Sequence, residues 1–528
     1  MAIDTKSGRG KFAARCQVVT SVGAIFQEMM MLRRVVVLIA LSATLLQFSP
    51  AAAAAATDKL EQAAPVADQL KDFPAPRSIR RSGIIEGKRI DYVVTVGAID
   101  LRDERGRMLG EVVYTAYTVP GSAIARPVTF AMNGGPGAAS ATLNLGALGP
   151  RRIEPGHTAS GAPITVENQN SWLPFTDLVF IDPIGTGFSR SRVDEGETRK
   201  AFMTAKADVK YLSEVMYQWL ARNDRMKSAK YMVGESYSGY RLPRIAYELQ
   251  INGGIGFSGL ALVSPYLDIP AMGEQDALSP LRYMAILPSL TASHWEEEGK
   301  SLTPEALAPV ERYAQTEFLT DFFAGASDAA ATDRLSAKVA DYIGVNPFIV
   351  RRMDGRLSPT LALRERHRDE GVVSSGYDAR AKALDPFPAN ESRDYFDPIL
   401  SASAPYTAAI TDFVMNEVGW RVDGHYRAHN YALYEIFEND TADTAVAELR
   451  KVMASDARLQ VLISHGWNDT ACPYFLSKLL IQQMPRNLVG DRLRLRVYPG
   501  GHMFYDRATS GAAWRDDALA MYRAGNGS

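Results

Sequence analysis

Lys230-Tyr231-Met232-Val233-Gly234-Glu235-Ser236-Tyr237-Ser238-Gly239 runs from an apolar stretch into residues 241–250, where Leu242, Ile245, Ala246 and Leu249 recur at helical spacing. A strand that reverses sharply into a helix strains the residue at the bend and lifts its side chain above the sheet. The helix N-terminus then points at whatever binds there. Ser236 is the residue at this bend. Its flanks come so close that the positions two before and two after it must be small, and they are Gly234 and Ser238. The bland alternative is a serine in a glycine-rich turn, and the rest of the chain decides between the two.

Working outward, residues 178–181 form an apolar run, and residues 204–223 place Val209, Leu212, Val215, Met216, Trp219 and Leu220 on one helical face. Residues 259–263 follow the elbow as another short apolar run. Strand, helix, strand, helix in this order implies a parallel sheet covered on both faces. Upstream, residues 89–101 and 108–119 alternate apolar and polar positions around the turn Asp103-Glu104-Arg105-Gly106, which reads as a β-hairpin. A further run, 127–132, stops at Asn133-Gly134-Gly135-Pro136-Gly137. Two strands close the chain: 459–464 leads into His465-Gly466-Trp467-Asn468-Asp469, and 493–498 into Pro499-Gly500-Gly501-His502-Met503. Between about 269 and 454 the rhythm breaks into short helical stretches, among them 335–343 and 406–417, with prolines and charge runs such as 364–370 between them. The expectation is an α/β protein of the α/β-hydrolase fold, with a central mostly parallel sheet, an N-terminal β-hairpin and a helical insertion that caps the sheet's C-terminal edge. The expected divisions are an upstream segment and signal peptide at 1–56, a linker or arm at 57–81, the first part of the core at 82–268, the insertion at 269–454 and the second part of the core at 455–528.

The chain order Ser236, Asp469, His502 is that of the triads found in such folds. His502 would take the proton of Ser236 and later hand it to the leaving group, while Asp469 holds the imidazole in its useful tautomer. The residue after the nucleophile and a glycine-rich loop after an earlier strand supply the oxyanion donors in this arrangement, which points to the backbone N–H groups of Tyr237 and Gly135. Of the seven histidines, His465 is the rival base, because it stands four residues before Asp469 in what reads as the same loop. His157, His294, His367, His425 and His429 read as surface or packing residues. No histidine, cysteine and carboxylate cluster has metal-ligand spacing, so neither a metal nor another cofactor is expected.

With 528 residues and 46% hydrophobic content the chain can bury a large core, and a net charge of −2 offers no electrostatic footprint for nucleic acid or an anionic membrane. Arg33 and Arg34 precede the apolar run 35–46, followed by Ser49-Pro50 and six alanines at 51–56. This pattern reads as a cleavable signal peptide, with the natural start among Met29, Met30 and Met31. The mature protein is then periplasmic or secreted, without stable membrane association. Cys16 and Cys472 are the two cysteines, and removal of the leader would leave Cys472 alone, so the fold must hold by packing without an internal disulfide.

Asn133-Gly134-Gly135-Pro136-Gly137, Gly185-Thr186-Gly187-Phe188-Ser189, the elbow with Pro243, Gly466 with Asp469, and Gly501-His502-Met503 together resemble the serine carboxypeptidases, peptidase family S10. Asn168 with Ser171-Trp172 is similar to another element of that family, and the likeness runs in order from about Val94 to His502. The resemblance implies release of single residues from peptide C-termini through an acyl-enzyme, often best at acid pH. It puts Ser236, Asp469 and His502 in the triad, Gly135 and Tyr237 in the oxyanion hole, and Asn133 and Glu235 on the substrate's terminal carboxylate. Glu235 can serve there only if it carries a proton, since two ionised carboxylates at hydrogen-bonding distance repel. The chain departs from the family pattern in three places. Ala147 stands where many members carry a second glutamate, Ala138 stands at a usual cysteine position, and Asp182-Pro183 lacks an intervening residue. Arg151 or Arg152 could then help to hold the substrate carboxylate. An esterase or acyltransferase using the same triad, and a binding protein that keeps only the fold, are the alternative functions.

Overall fold

The computed structural model describes residues 71–121, 126–154, 160–268, 278–389, 396–401, 403–438 and 444–526. The expected signal peptide and Cys16 lie outside these residues. Among the described residues, nine strands make the main path of a ten-stranded sheet: β1 (Arg77–Ile85), β2 (Lys88–Arg102), β3 (Met108–Thr118), β4 (Val128–Met132), β5 (Asp177–Ile181), β6 (Lys230–Glu235), β7 (Gly259–Val263), β8 (Gln460–Gly466) and β9 (Leu493–Tyr498). Their spatial order is β1-β2-β3-β5-β4-β6-β7-β8-β9. The pairings from β5 to β9 are parallel, and those from β1 through β3 to β5 are antiparallel.

Because side chains alternate along a strand, a sheet covered on both faces needs continuous apolar runs, and β4 to β8 have them. Ala131, Phe180, Tyr231, Val233, Ala261 and Leu462 enter one core, while Phe130, Met132, Val179, Met232, Leu260, Leu262 and Ile463 enter the other. Helices α1 (Ala205–Arg222) and α2 (Ser238–Asn252) cover the second face. Thr204 caps α1 by accepting from Ala207 N–H, and Asn223 ends it, as the sequence pattern implies.

The hairpin forms where expected, but the arm assigned to 57–81 enters the sheet at Arg77, earlier than its charged sequence suggests. β1 is an edge strand, mostly exposed, so its arginines are solvated and it needs no apolar stripe. Between β7 and β8, α3 (Leu281–Glu297) and the helices after it build a third core with Leu287, Leu307, Phe318, Val339 and Leu363, which Trp467, Tyr474 and Phe475 join from beyond β8. The sheet's helical cover resumes before residue 455, because α4 (Val446–Ser455) sets Leu449 and Val452 into the second core beside α2. The last helix, α5 (Ala508–Gly525), lays Trp514 and Tyr522 on the first face.

An ion pair lies under the elbow. Arg241 Nε donates to Asp208 Oδ2 at 2.5 Å, and both side chains are buried. The same guanidinium donates to Ser238 Oγ and to the Asn133 carbonyl, tying α1, α2 and the glycine-rich loop together. Asp208→Asn leaves the guanidinium buried without its counter-charge, so a loss of about 3 to 5 kcal/mol of stability is expected in urea unfolding. A loss below about 1 kcal/mol would show that the pair can be dispensed with.

Candidate active site

β6 ends at Glu235 and α2 begins at Ser238. Ser236 between them has φ of 58°, a left-handed backbone that costs a non-glycine residue about 1 kcal/mol or more. Three hydrogen bonds hold it there: Ser236 N–H donates to Val263 O, and Ser236 O accepts from Gly239 N–H and Tyr266 N–H. A Cβ on Gly234 would sit 2.8 Å from that of Ser238, which is why both positions are small. A Cβ on Gly134 would sit 2.5 Å from Tyr237 N, so the glycine-rich loop presses its backbone directly onto the turn. Gly135 has φ of 109°, and neither its N–H nor that of Tyr237 donates to a backbone acceptor among the described residues.

His502 Nδ1 lies 2.8 Å from Asp469 Oδ2, and both side chains are buried. The other carboxylate oxygen, Oδ1, accepts from Ala471 N–H and Cys472 N–H at 2.9 Å each, so the acid is fixed by its own loop. Burial pulls the His502 imidazole down, but the Asp469 and Glu235 carboxylates outweigh it and leave it raised. His502 Nε2 is buried and has no hydrogen-bond partner among the described residues, while the Ser236 hydroxyl meets the Cys472 thiol. Ser236 and His502 are therefore not hydrogen-bonded to each other through Nε2.

His465, the rival base, is not in a loop. β8 runs on through Gly466, pairing His465 with Val497, and the ring is engaged by Cys472 O and Ser477 Oγ. Burial, helped by the nearby His502, drives it down to about 3, so it stays neutral and structural.

Glu235, buried beside Ser236, accepts from Asn133 Nδ2 at 2.9 Å and from the Tyr505 hydroxyl. Burial raises its carboxyl, against the opposing influence of His502 and these two donors. Asn133 is fixed in turn, because its Oδ1 accepts from Leu143 N–H. Ala147 is buried in the turn Leu143–Leu148 and offers no carboxyl. Of the two arginines considered as substitutes, Arg151 turns away to Glu417 and the Thr165 carbonyl. Arg152 donates to Asp506 O, and its charge opposes a rise of the Asp506 carboxyl. Solvent reaches Asp506, yet the protein crowded around it pushes it up to about 7.

Two contributors leave little trace in the sequence. Tyr505 is marked only as an aromatic three residues past His502. The segment Gly376 to Ala379 carries no mark at all, since it acts through its backbone. Gly376 O accepts from Thr470 and Ala471 N–H, Ala379 N–H donates to Asn468 O, and His502 N–H donates to Tyr377 O. This segment thus clasps the loops that carry Asp469 and His502, and the Tyr377 ring meets the imidazole edge-on at 5.1 Å.

The sheet, its helical cover and the serine at the strained strand-to-helix bend define the α/β-hydrolase fold. The chain belongs to the serine carboxypeptidase family, peptidase S10, whose sequence model matches residues 111–520. Serine carboxypeptidase-like 44 of Arabidopsis thaliana is 29% identical over 191 residues, 34% of this chain and 38% of that protein. The pheromone-processing carboxypeptidase KEX1 of Tuber melanosporum is 35% identical over 118 residues, 22% of this chain and 17% of that protein. The chain therefore matches well under half the length of these curated relatives. The crystal structure of the prohormone-processing carboxypeptidase Kex1 from Saccharomyces cerevisiae superposes with a TM-score of 0.52 at 17% identity, over 82% of this chain and 91% of that one, a likeness of fold alone. No helix among the described residues is long and apolar enough to cross a membrane.

Proposed function

We propose that this protein is an exported serine carboxypeptidase that releases C-terminal residues from peptides through an acyl-enzyme and works best at acid pH. The observation that carries this reading is the buried Glu235, with its carboxyl raised and held by Asn133 and Tyr505, one residue before Ser236. A protonated carboxyl next to an amide holds a carboxylate more tightly than a neutral ester or amide terminus, because a hydrogen bond to an ionised acceptor is the stronger.

In this mechanism Ser236 Oγ attacks the scissile carbonyl and passes its proton to His502 Nε2, while Nδ1–H donates to Asp469. The N–H groups of Gly135 and Tyr237 receive the developing oxyanion. His502 then protonates the leaving amine, and a water, deprotonated by the same nitrogen, releases the acyl group. Export rests on the leader pattern at 33–56 and is tested by N-terminal sequencing of the protein recovered outside the cytoplasm.

The test compares N-blocked dipeptides with their C-terminal amides from about pH 4 to about 8. Free acids are expected to exceed amides by about tenfold or more in kcat/KM, with the gap widest at low pH. Equal rates on acids, amides and simple esters would mean that the terminal carboxylate is not read. The esterase or acyltransferase reading, to which Ala147 lends support, would then replace this one.

A further inference from the structure

Beside Ser236 lies a cavity of about 220 Å³, lined by Tyr266, Arg282, Pro359, Leu363, Thr470 and Ala471 among others. It adjoins the nucleophile on two sides. Tyr266 N–H donates to Ser236 O, and Ala471 precedes Cys472, whose thiol meets the Ser236 hydroxyl. Sheet order gives its direction. Asn133 follows β4, on one flank of β6, whereas Tyr266 follows β7 and Thr470 follows β8, on the other. With the terminal carboxylate held over β4 and β6, the residue on the acyl side of the scissile bond extends toward β7 and β8, and its side chain enters this cavity.

The walls are largely apolar, with hydroxyls at Thr360 and Thr470 and one cation, Arg282. Arg282 forms no ion pair among the described residues, and its Nε is buried without a hydrogen-bond partner. Arg282 and Asp268 both influence Tyr266, with opposite sign. Arg282 also occupies the first turn of α3, the end of a helix where the backbone dipole disfavours a cation, so its charge does nothing for the helix. A guanidinium with open donors on an apolar pocket wall is matched by a carboxylate, which it can engage with two parallel hydrogen bonds.

We propose that Arg282 makes this pocket selective for an acidic side chain, so that the preferred substrates carry glutamate or aspartate immediately before the C-terminal residue that is released. The proposal rests on the carboxypeptidase reading above. A lysine there meets like charge, and a glutamine fills the same space without the charge.

The experiment measures kcat/KM for three blocked dipeptides that share a C-terminal phenylalanine and carry glutamate, glutamine or lysine before it, at a pH near 6.5. Glutamate is expected to exceed glutamine by about tenfold, with lysine lowest. The glutamate-to-glutamine ratio is expected to fall to about one in Arg282→Met and to survive in part in Arg282→Lys. A wild-type ratio at or below one, or a ratio in Arg282→Met equal to that of the wild type, overturns the proposal. The wild-type ratio decides even if a variant fails to fold. If no dipeptide is turned over, the carboxypeptidase reading fails separately. The same ratio is then measured on the nitrophenyl esters of blocked glutamate and glutamine, where a value well above one supports the acidic pocket and a value at or below one overturns it.

Discussion

Ser236→Ala is expected to lower kcat for dipeptide hydrolysis by about 10⁶-fold and Asp469→Asn by about 10⁴-fold, with KM little changed in either. The two losses differ in origin. Removing the hydroxyl removes the attacking atom, and what remains is binding and oxyanion stabilisation. Removing the carboxylate charge keeps the shape of the loop but withdraws what holds His502 in the useful tautomer and steadies its imidazolium. Because Asp469 Oδ1 is fixed by two backbone N–H groups, the side-chain amide in Asp469→Asn can keep its oxygen there and turn its NH₂ toward His502 Nδ1. That forces the ring proton onto Nε2, the atom that must accept the serine proton. Active-site titration with a serine-directed organophosphate checks the assignment independently, since labelling should vanish in Ser236→Ala and slow steeply in Asp469→Asn. Full labelling of Ser236→Ala would put the nucleophile elsewhere. Absence of both turnover and labelling in the wild type would point to a binding protein that keeps only the fold.

What the sequence discloses and what it hides divide along physical lines. β4 to β7 are legible because a strand in the middle of a covered sheet is apolar and stops at turn residues, as 259–263 does, while β9, at the sheet's edge, shows in Leu493, Leu495 and Val497 alternating with Arg494 and Arg496 before Pro499-Gly500. Ser236, Asp469 and His502 stand close after such stops, so their order can be read from the chain. β1 is hidden because an edge strand facing solvent has no such requirement, and Arg77, Arg80 and Arg81 look like a linker. His465 reads as a loop residue because an ionisable side chain seldom continues a buried strand. Here Cys472 O and Ser477 Oγ satisfy both ring nitrogens, and the strand runs on. The clasp of Gly376 to Ala379 on the loops of Asp469 and His502 joins backbone groups that lie far apart in the chain, and no side-chain pattern records it. Arg282 is a similar case. α3 begins at Leu281 directly after Pro280, and by spacing alone Arg282 is an ordinary first-turn residue, with nothing to separate a cation facing a pocket from one facing water.

Glu235→Gln is expected to separate the two limbs of the pH profile. In the wild type the substrate carboxylate binds well while Glu235 keeps its proton, so KM for free acids should rise as pH climbs through the raised value of that carboxyl, while KM for the matching amides stays flat. The groups around Glu235 act in both directions. His502 and the donors Tyr505 and Asn133 favour the ionised form, Asp469 opposes it, and Asp506 and the Cys472 thiol feel its charge in turn. Glutamine imitates the protonated carboxyl in shape and can still serve Asn133 and Tyr505, so the alkaline rise in KM should disappear. The acid limb should move as well. The charge of Glu235 is one of the influences that raise His502, and without it the imidazole loses its proton at lower pH, extending kcat toward acid. Because Glu235 and His502 interact, the wild-type limbs belong to the pair, and only the variant resolves them. Glu235→Ala instead strips Asn133 and Tyr505 of their shared acceptor, and KM for free acids should rise by about 10- to 100-fold at every pH. A pH profile of Glu235→Gln that overlays the wild type on both limbs would mean that Glu235 neither holds the substrate carboxylate nor tunes the base.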